Sequence, residues 1–313
     1  MISPEQVAEH KPEDKQASEP ATGYFRSGLP YRRLGSGPRT LVVFEGQAFE
    51  NKPMPSLMVA GLYRFLEQDY TIYSVNRKPG LPSGYTMQNM ADDYATMIRE
   101  EFGGPVDVSG VSTGGSIAQH FAADHPDLVR RLVLHSSAHT LGEACKALEL
   151  HVAELARQRK WRKVFTAMLD FVFLPPTGIK RDVGRLAFWI AGFIRPLIPG
   201  MVPKDPSDFV ITIEAEDKLH FKDRLSEITA PTLVVAGDKD PAYSVTLFRE
   251  TAEGIPHARL ILYPGMGHPA HGKHFHQDVL AFLKEDSASP NDRPQSSQQL
   301  QEQTHATVST KVR

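Results

Sequence analysis

From the N-terminus onward, the chain alternates short apolar runs with longer amphipathic ones. Thr40 to Phe44 is almost continuously apolar, as expected of a strand covered on both faces. Tyr70 to Val75, Pro105 to Val108, Val129 to Leu134, Thr232 to Ala236 and Arg259 to Tyr263 read as further strands. Tyr31 to Leu34, followed by Gly35-Ser36-Gly37-Pro38, reads as a strand and a turn. Helical spacing fills the intervals. Pro55 to Glu67 carries Leu57, Ala60, Leu62 and Phe65, and Met87 to Phe102 carries Met90, Tyr94, Met97 and Ile98. Ser116 to Ala123 is amphipathic, and Lys273 to Lys284 sets Phe275, Val279, Phe282 and Leu283 on one face. Such alternation predicts an α/β fold, a mostly parallel central sheet with helices on both faces.

The alternation stops between Ser137 and His220, where only helical patterns occur: Glu143 to Trp161, Lys163 to Leu174 and Arg185 to Ile194. A helical insertion between two strands of a parallel sheet reads as a cap. The expected organisation is a core of residues 22–136 and 221–285, a cap of residues 137–220, and disordered tails at 1–21 and 286–313. Both tails are polar, with few large apolar residues to bury.

Composition narrows the function. The 313 residues carry a formal net charge of −2, so no broad attraction to nucleic acid or anionic membrane is expected. The single cysteine, Cys145, excludes an intramolecular disulfide and reads as a buried helix residue. Met1 to Pro20 lacks the apolar stretch of a secretory signal. The apolar run Leu186 to Ile194 is too short to span a bilayer and ends at Arg195-Pro196. A cytoplasmic protein without stable membrane insertion is the expectation. No metal-ligand spacing or phosphate-binding Gly loop occurs, so no cofactor is expected.

The candidate chemistry sits at strand ends. Gly110-Val111-Ser112-Thr113-Gly114 lies between a strand-like run and an amphipathic one. G-x-S-x-G on a strand-to-helix turn is a nucleophile elbow, with a helix N-terminus behind the Ser to favour developing negative charge. Ser needs a base, and the base needs an orienting group. Two later strands run into Gly turns that supply candidates: Gly237-Asp238-Lys239-Asp240 and Gly265-Met266-Gly267-His268. Loops at the carboxyl ends of parallel strands share one edge, where ligands bind.

The elbow, the Gly-Asp-Lys-Asp turn and the Gly-Met-Gly-His loop together resemble the α/β-hydrolases with a helical cap, over about Tyr24 to Lys284. The resemblance implies Ser112 as nucleophile, Asp240 as acid and His268 as base. Asp238 is the competing acid, read as a brace of the turn. His271, His274 and His276 are the rival bases, read as exposed helix polar residues. The resemblance also implies an oxyanion hole from the backbone N–H groups of Thr113 and Gln47, the latter in the loop Glu45-Gly46-Gln47-Ala48. Glu45 stands where family members commonly have His. It either acts on the loop and on His268 or faces solvent.

Such members are serine hydrolases that cleave carboxylic esters through an acyl-enzyme. Carbon–carbon bond, lactone or amide hydrolysis, or a ligand receptor of the same shape, are the alternatives. The expected partner is a small-molecule ester. The insertion is rich in large apolar side chains (Phe165, Met168, Phe171, Phe173, Leu174, Phe188, Trp189, Ile190, Phe193), which suits either an apolar acyl or alcohol pocket or simple packing on the core. Phe171 and Trp189 are the candidate substrate contacts.

Overall fold

A computed structural model describes residues 22–172 and 202–285. The apolar runs become strands of one sheet: β1 (Thr22–Tyr24), β2 (Pro30–Leu34), β3 (Arg39–Phe44), β4 (Tyr70–Val75), β5 (Val106–Val111), β6 (Val129–His135), β7 (Thr232–Gly237) and β8 (Ala258–Tyr263). Their spatial order is β1-β2-β4-β3-β5-β6-β7-β8. From β4 to β8 every pairing is parallel, and β1 and β2 add an antiparallel edge. The sheet therefore presents the carboxyl ends of β3, β5, β6, β7 and β8 along one edge.

The helices are α1 (Ser56–Tyr63), α2 (Met87–Phe102), α3 (Thr113–Asp124), α4 (Glu143–Arg157), α5 (Trp161–Val172), α6 (Ser207–Asp217), α7 (Val245–Gly254) and α8 (Lys273–Lys284). Alternation within β3 explains the layers. Val42 and Phe44 point into a core beneath α2, α3 and α7, with Tyr94, Phe121 and Phe248. Leu41 and Val43 point into the opposite core beneath α1 and α8, with Tyr63, Phe275 and Phe282. The α2 helix starts on a reciprocal Thr86–Asn89 capping box and stops at Gly103, whose left-handed φ of 68° ends the helical path.

Three expectations are corrected. The first helix ends at Tyr63 and continues only as a short 3-10 turn, Arg64–Leu66. It buries Val59, Tyr63 and Leu66, and Leu57 is 83% exposed rather than core. The segment is apolar all round, so its pattern offers two competing stripes. The predicted helix Glu143 to Trp161 breaks after Arg157, because Arg159 is left-handed (φ 56°) and Trp161 begins a new helix. The elbow helix begins at Thr113, not Ser116.

Between β6 and β7 the described chain is helical and has a core of its own, formed by Val152, Trp161, Val164, Phe165, Phe209 and Ile213. Phe49, from the loop after β3, packs on Phe165 and Phe209 at ring-centroid distances of 4.8 and 5.1 Å. The start of α6 is pinned to the sheet side, where the Asp208 carboxylate accepts the Gly80 and Leu81 amides at 3.0 and 2.8 Å. Both tails, the Arg185–Ile194 helix, and Phe173, Leu174, Phe188, Trp189, Ile190 and Phe193 lie outside the described residues, as does the Phe171 side chain.

Candidate active site

Ser112 sits between β5 and α3 with φ 51° and ψ −123°, a conformation that costs an L-residue energy and that the surroundings must enforce. The enforcement is visible. The Ser112 amide donates to His135 O at 3.0 Å, and Ser112 O accepts Gly115 N at 2.7 Å to start the helix. Gly114 has to be Gly because a Cβ there would lie 2.0 Å from Phe44 O. The elbow is thus clamped between β3, β6 and its own helix.

His268 Nε2 lies 2.9 Å from Ser112 Oγ, and His268 Nδ1 lies 2.8 Å from Asp240 Oδ2. The Asp240 side chain is fully buried. Its other oxygen accepts the Ala242 and Tyr243 amides at 2.8 and 3.2 Å, which fixes the direction of the carboxylate. With Asp240 fixing Nδ1–H, Nε2 is the basic nitrogen facing the Ser hydroxyl. Asp238 is elsewhere. It accepts the Gly265 amide at 2.7 Å and braces the turn, as the sequence suggests. His271 and His274 are exposed, whereas His276 stacks on Phe65 at 4.2 Å instead of facing water.

The His268 loop is held by the end of β6. His135 Nε2 lies 2.6 Å from Ala270 O, and Ser136 Oγ accepts the Ala270 amide at 3.0 Å. Burial pushes the His135 imidazole down to about 4, so it stays neutral beside His268.

The loop after β3 faces the nucleophile: a Cβ on Gly46 would stand 3.5 Å from Ser112 Cβ. Sequence reasoning passed over the residue that holds this loop. Arg77 is fully buried and donates from Nη1 to Glu45 O and from both Nη atoms to Gly46 O, each at 3.1 Å. A lone Arg just past a buried strand was its only signal. Gly46 C=O and Gln47 N–H belong to one trans peptide and point in opposite directions. The Gln47 side chain reaches Phe209 O through Nε2 at 3.4 Å. Glu45 is not solvent-facing. It is 3% exposed and accepts Ser74 Oγ at 2.8 Å, and burial pushes its carboxyl up to about 7.

Thr113 opens α3, where first-turn amides have no partner within the helix. Cys145 is buried in α4. Phe165 is buried in the inserted core and Met168 is half-buried beside it, so these two pack rather than stand open. Among the described residues no group of three or more His, Cys, Asp or Glu is arranged to hold a metal, and no helix is long and apolar enough to cross a membrane.

A Ser with positive φ on a strand-to-helix turn and a His bridging it to a buried carboxylate thus stand together at the carboxyl edge of the sheet. A family model described as the alpha/beta hydrolase fold matches residues 73–275, which span all three side chains. The chain belongs to that family. It is a hydrolase of the alpha/beta hydrolase fold, acting on a small molecule. One relative, a pimeloyl-[acyl-carrier protein] methyl ester esterase of Nitrosomonas europaea, is 25% identical over 243 residues, covering 75% of this chain and 90% of the relative. Polyketide synthase ThaQ of Burkholderia thailandensis is 30% identical over 274 residues, which is 81% of this chain but 12% of that protein. The crystal structure of MGS-M2, an alpha/beta hydrolase enzyme from a Medee basin deep-sea metagenome library, superposes with a TM-score of 0.70 at 15% identity. That match covers 87% of this chain and 100% of MGS-M2, and is a likeness of fold.

Proposed function

We propose that this hydrolase cleaves carboxylic esters through a covalent acyl-enzyme at Ser112. The observation that carries the reading is the continuous hydrogen-bonded line from Ser112 Oγ through His268 to buried Asp240. Ser112 Oγ attacks the ester carbonyl carbon as His268 Nε2 takes its proton. The carbonyl oxygen becomes an alkoxide, held by the N–H groups of Thr113 and Gln47. The carbon–oxygen bond to the alcohol breaks, and His268 returns the proton to the departing alkoxide. Water, deprotonated by His268, then releases the acid and frees Ser112. Asp240 keeps the imidazole in one tautomer and stabilises the imidazolium.

The helices between Ser137 and His220 act in this reading as a cap. The insertion leaves after β6, and its return is tied to its exit where the Phe221 amide donates to His139 O at 3.0 Å, so both its ends lie near the carboxyl end of β6. The name of the Nitrosomonas relative supports an ester as the scissile bond. The test is turnover of short-chain nitrophenyl esters against vinylogous diketones, with Ser112→Ala as control. Ester hydrolysis lost in Ser112→Ala supports the proposal. Cleavage of diketones without turnover of esters would overturn it in favour of carbon–carbon hydrolysis.

A further inference from the structure

Strand β6 carries no member of the triad, yet it lies between the strand of the nucleophile and those of the acid and the base. β5 and β8 stand three strand spacings apart, about 14 Å. The loop after β8 must therefore fold back across the ends of β7 and β6 for His268 to reach Ser112. Two anchors mark its path. Over β7, a Cβ on Gly237 would lie 2.1 Å from Met266 O, and the Lys239 amide donates to that oxygen at 2.9 Å. At the end of β6, both polar backbone groups of Ala270 are gripped. His135 Nε2 lies 2.6 Å from Ala270 O, and Ser136 Oγ accepts the Ala270 amide at 3.0 Å. His268 falls midway along the chain between Met266 and Ala270.

The residue that grips the base loop also holds the nucleophile. The Ser112 amide donates to His135 O at 3.0 Å. His135 thus touches the elbow through its carbonyl and the base loop through its ring. Both ends are fixed in turn. The Ser136 amide donates to Val235 O at 2.7 Å, tying the end of β6 to β7, and the His135 ring stacks on Phe275 of α8 at 4.4 Å. A carbonyl oxygen only accepts, so the one proton of the neutral His135 ring sits on Nε2. His135, Ser136 and Ala270 are all buried, so a lost bond leaves an unpaired polar group.

We propose that His135 is a positioning residue for acyl transfer, setting the distance between Ser112 and His268, with Ser136 as a second grip on the base loop. The proposal rests on the acyl-transfer reading of Ser112 and adds to it a residue that meets no substrate. Nucleophile and base come from strands that are not neighbours, so their 2.9 Å contact is a local property of neither loop. Misplacing a reacting group by about 1 Å costs about a hundredfold in rate. Removing the bridge should accordingly act on kcat more than on KM.

The test uses three variants of the whole protein, assayed on an activated ester well below each Tm. His135→Phe keeps a flat ring against Phe275 but loses the N–H, and its kcat should fall about a hundredfold with KM little changed. His135→Gln returns a side-chain N–H donor and should recover most of that loss. Ser136→Gly removes Oγ at a residue whose φ is 48°, a value Gly adopts freely. Relief of backbone strain offsets its lost bond, so Tm should change little while kcat falls about tenfold, the scale of one hydrogen bond. Wild-type kcat in folded His135→Phe or in Ser136→Gly overturns the proposal, as does a loss in His135→Gln equal to that in His135→Phe. Where His135→Phe does not fold, Ser136→Gly decides alone. Proton NMR gives a readout without turnover, since the proton between His268 Nδ1 and Asp240 resonates far downfield. That resonance should appear in wild type and His135→Gln and be lost in His135→Phe; a resonance unmoved in His135→Phe overturns the proposal. If wild type neither cleaves esters nor takes up a fluorophosphonate while the resonance behaves in this way, the positioning stands and the acyl-transfer reading fails. If wild type and variants cleave esters equally well, the positioning is wrong and acyl transfer stands.

Discussion

Replacing Arg77 by Met should slow catalysis without touching any group that meets the substrate. The guanidinium makes three hydrogen bonds of 3.1 Å to the carbonyls of Glu45 and Gly46. Fixing Gly46 C=O on the Arg77 side turns the N–H of the same peptide, that of Gln47, the other way. A Cβ added to Gly46 would stand 3.5 Å from Ser112 Cβ, so this stretch of the loop runs beside the nucleophile. Loss of one oxyanion donor costs about 10²–10³ in kcat. Arg77→Met should therefore lower kcat about a hundredfold, with a smaller change in KM. The buried Glu45 carbonyl also loses its partner, at about 1–3 kcal/mol, and the part-buried Gly46 carbonyl loses its own, so Tm should fall as well. The assay is kcat on an activated ester well below the variant's Tm, with the rate of fluorophosphonate labelling measured in parallel. Labelling should slow too, because phosphonylation develops charge on the same kind of oxygen. Arg77→Lys, which keeps the charge but not the fork, should fall between wild type and Met. A folded Arg77→Met variant with wild-type kcat and lowered Tm would refute the reasoning and leave Arg77 a purely structural residue.

Asp240→Asn should cost about 10⁴ in kcat by spoiling the imidazole tautomer, whereas Asp238→Asn should cost little; steady-state kinetics on both variants decides. Glu45 has its carboxyl raised from 4.5 to about 7 by burial, so the folded state holds its proton longer than the unfolded chain does. Its cost to stability is absent below pH 4.5, grows as pH rises through 7, and reaches about 3 kcal/mol. Glu45→Gln should accordingly gain stability on wild type between pH 5 and 8, measured by urea unfolding at each pH, and an unchanged difference would contradict the burial argument. Gly114→Ala should fail to fold or lose Tm sharply, since its Cβ would lie 2.0 Å from Phe44 O. Gly61→Ala in α1 meets nothing within 4 Å and should add about 0.5–1 kcal/mol.

The strands were legible because buried parallel strands are written as unbroken apolar runs, as in Thr232–Gly237, where every residue is buried. The elbow and the two Gly-turn loops were legible because the topology brings the carboxyl ends of β5, β7 and β8 to one edge. Asp240 was separated from Asp238 by resemblance, and the structure gives the two carboxylates different partners, His268 and the Gly265 amide. What the pattern did not carry depends on long-range packing. Arg77 and Glu45 look like surface charges in sequence, yet both are buried because each answers polar groups brought in from a neighbouring strand. Glu216 reads as one acid among several at the end of α6. The helix buries Phe209, Val210, Ile211, Thr212, Ile213 and Ala215 as well, so no polar stripe marks which acid points inward. The break at Arg159 required a non-glycine residue in the left-handed region, which composition does not announce.

The central claim is that Ser112 forms the covalent intermediate. The direct measurement is mass spectrometry of the digested protein after labelling with a fluorophosphonate. The account predicts one phosphonyl adduct, on the peptide bearing Gly110-Val111-Ser112-Thr113-Gly114, absent from Ser112→Ala together with ester turnover. An adduct on a different residue, or undiminished turnover in a folded Ser112→Ala variant, would contradict it.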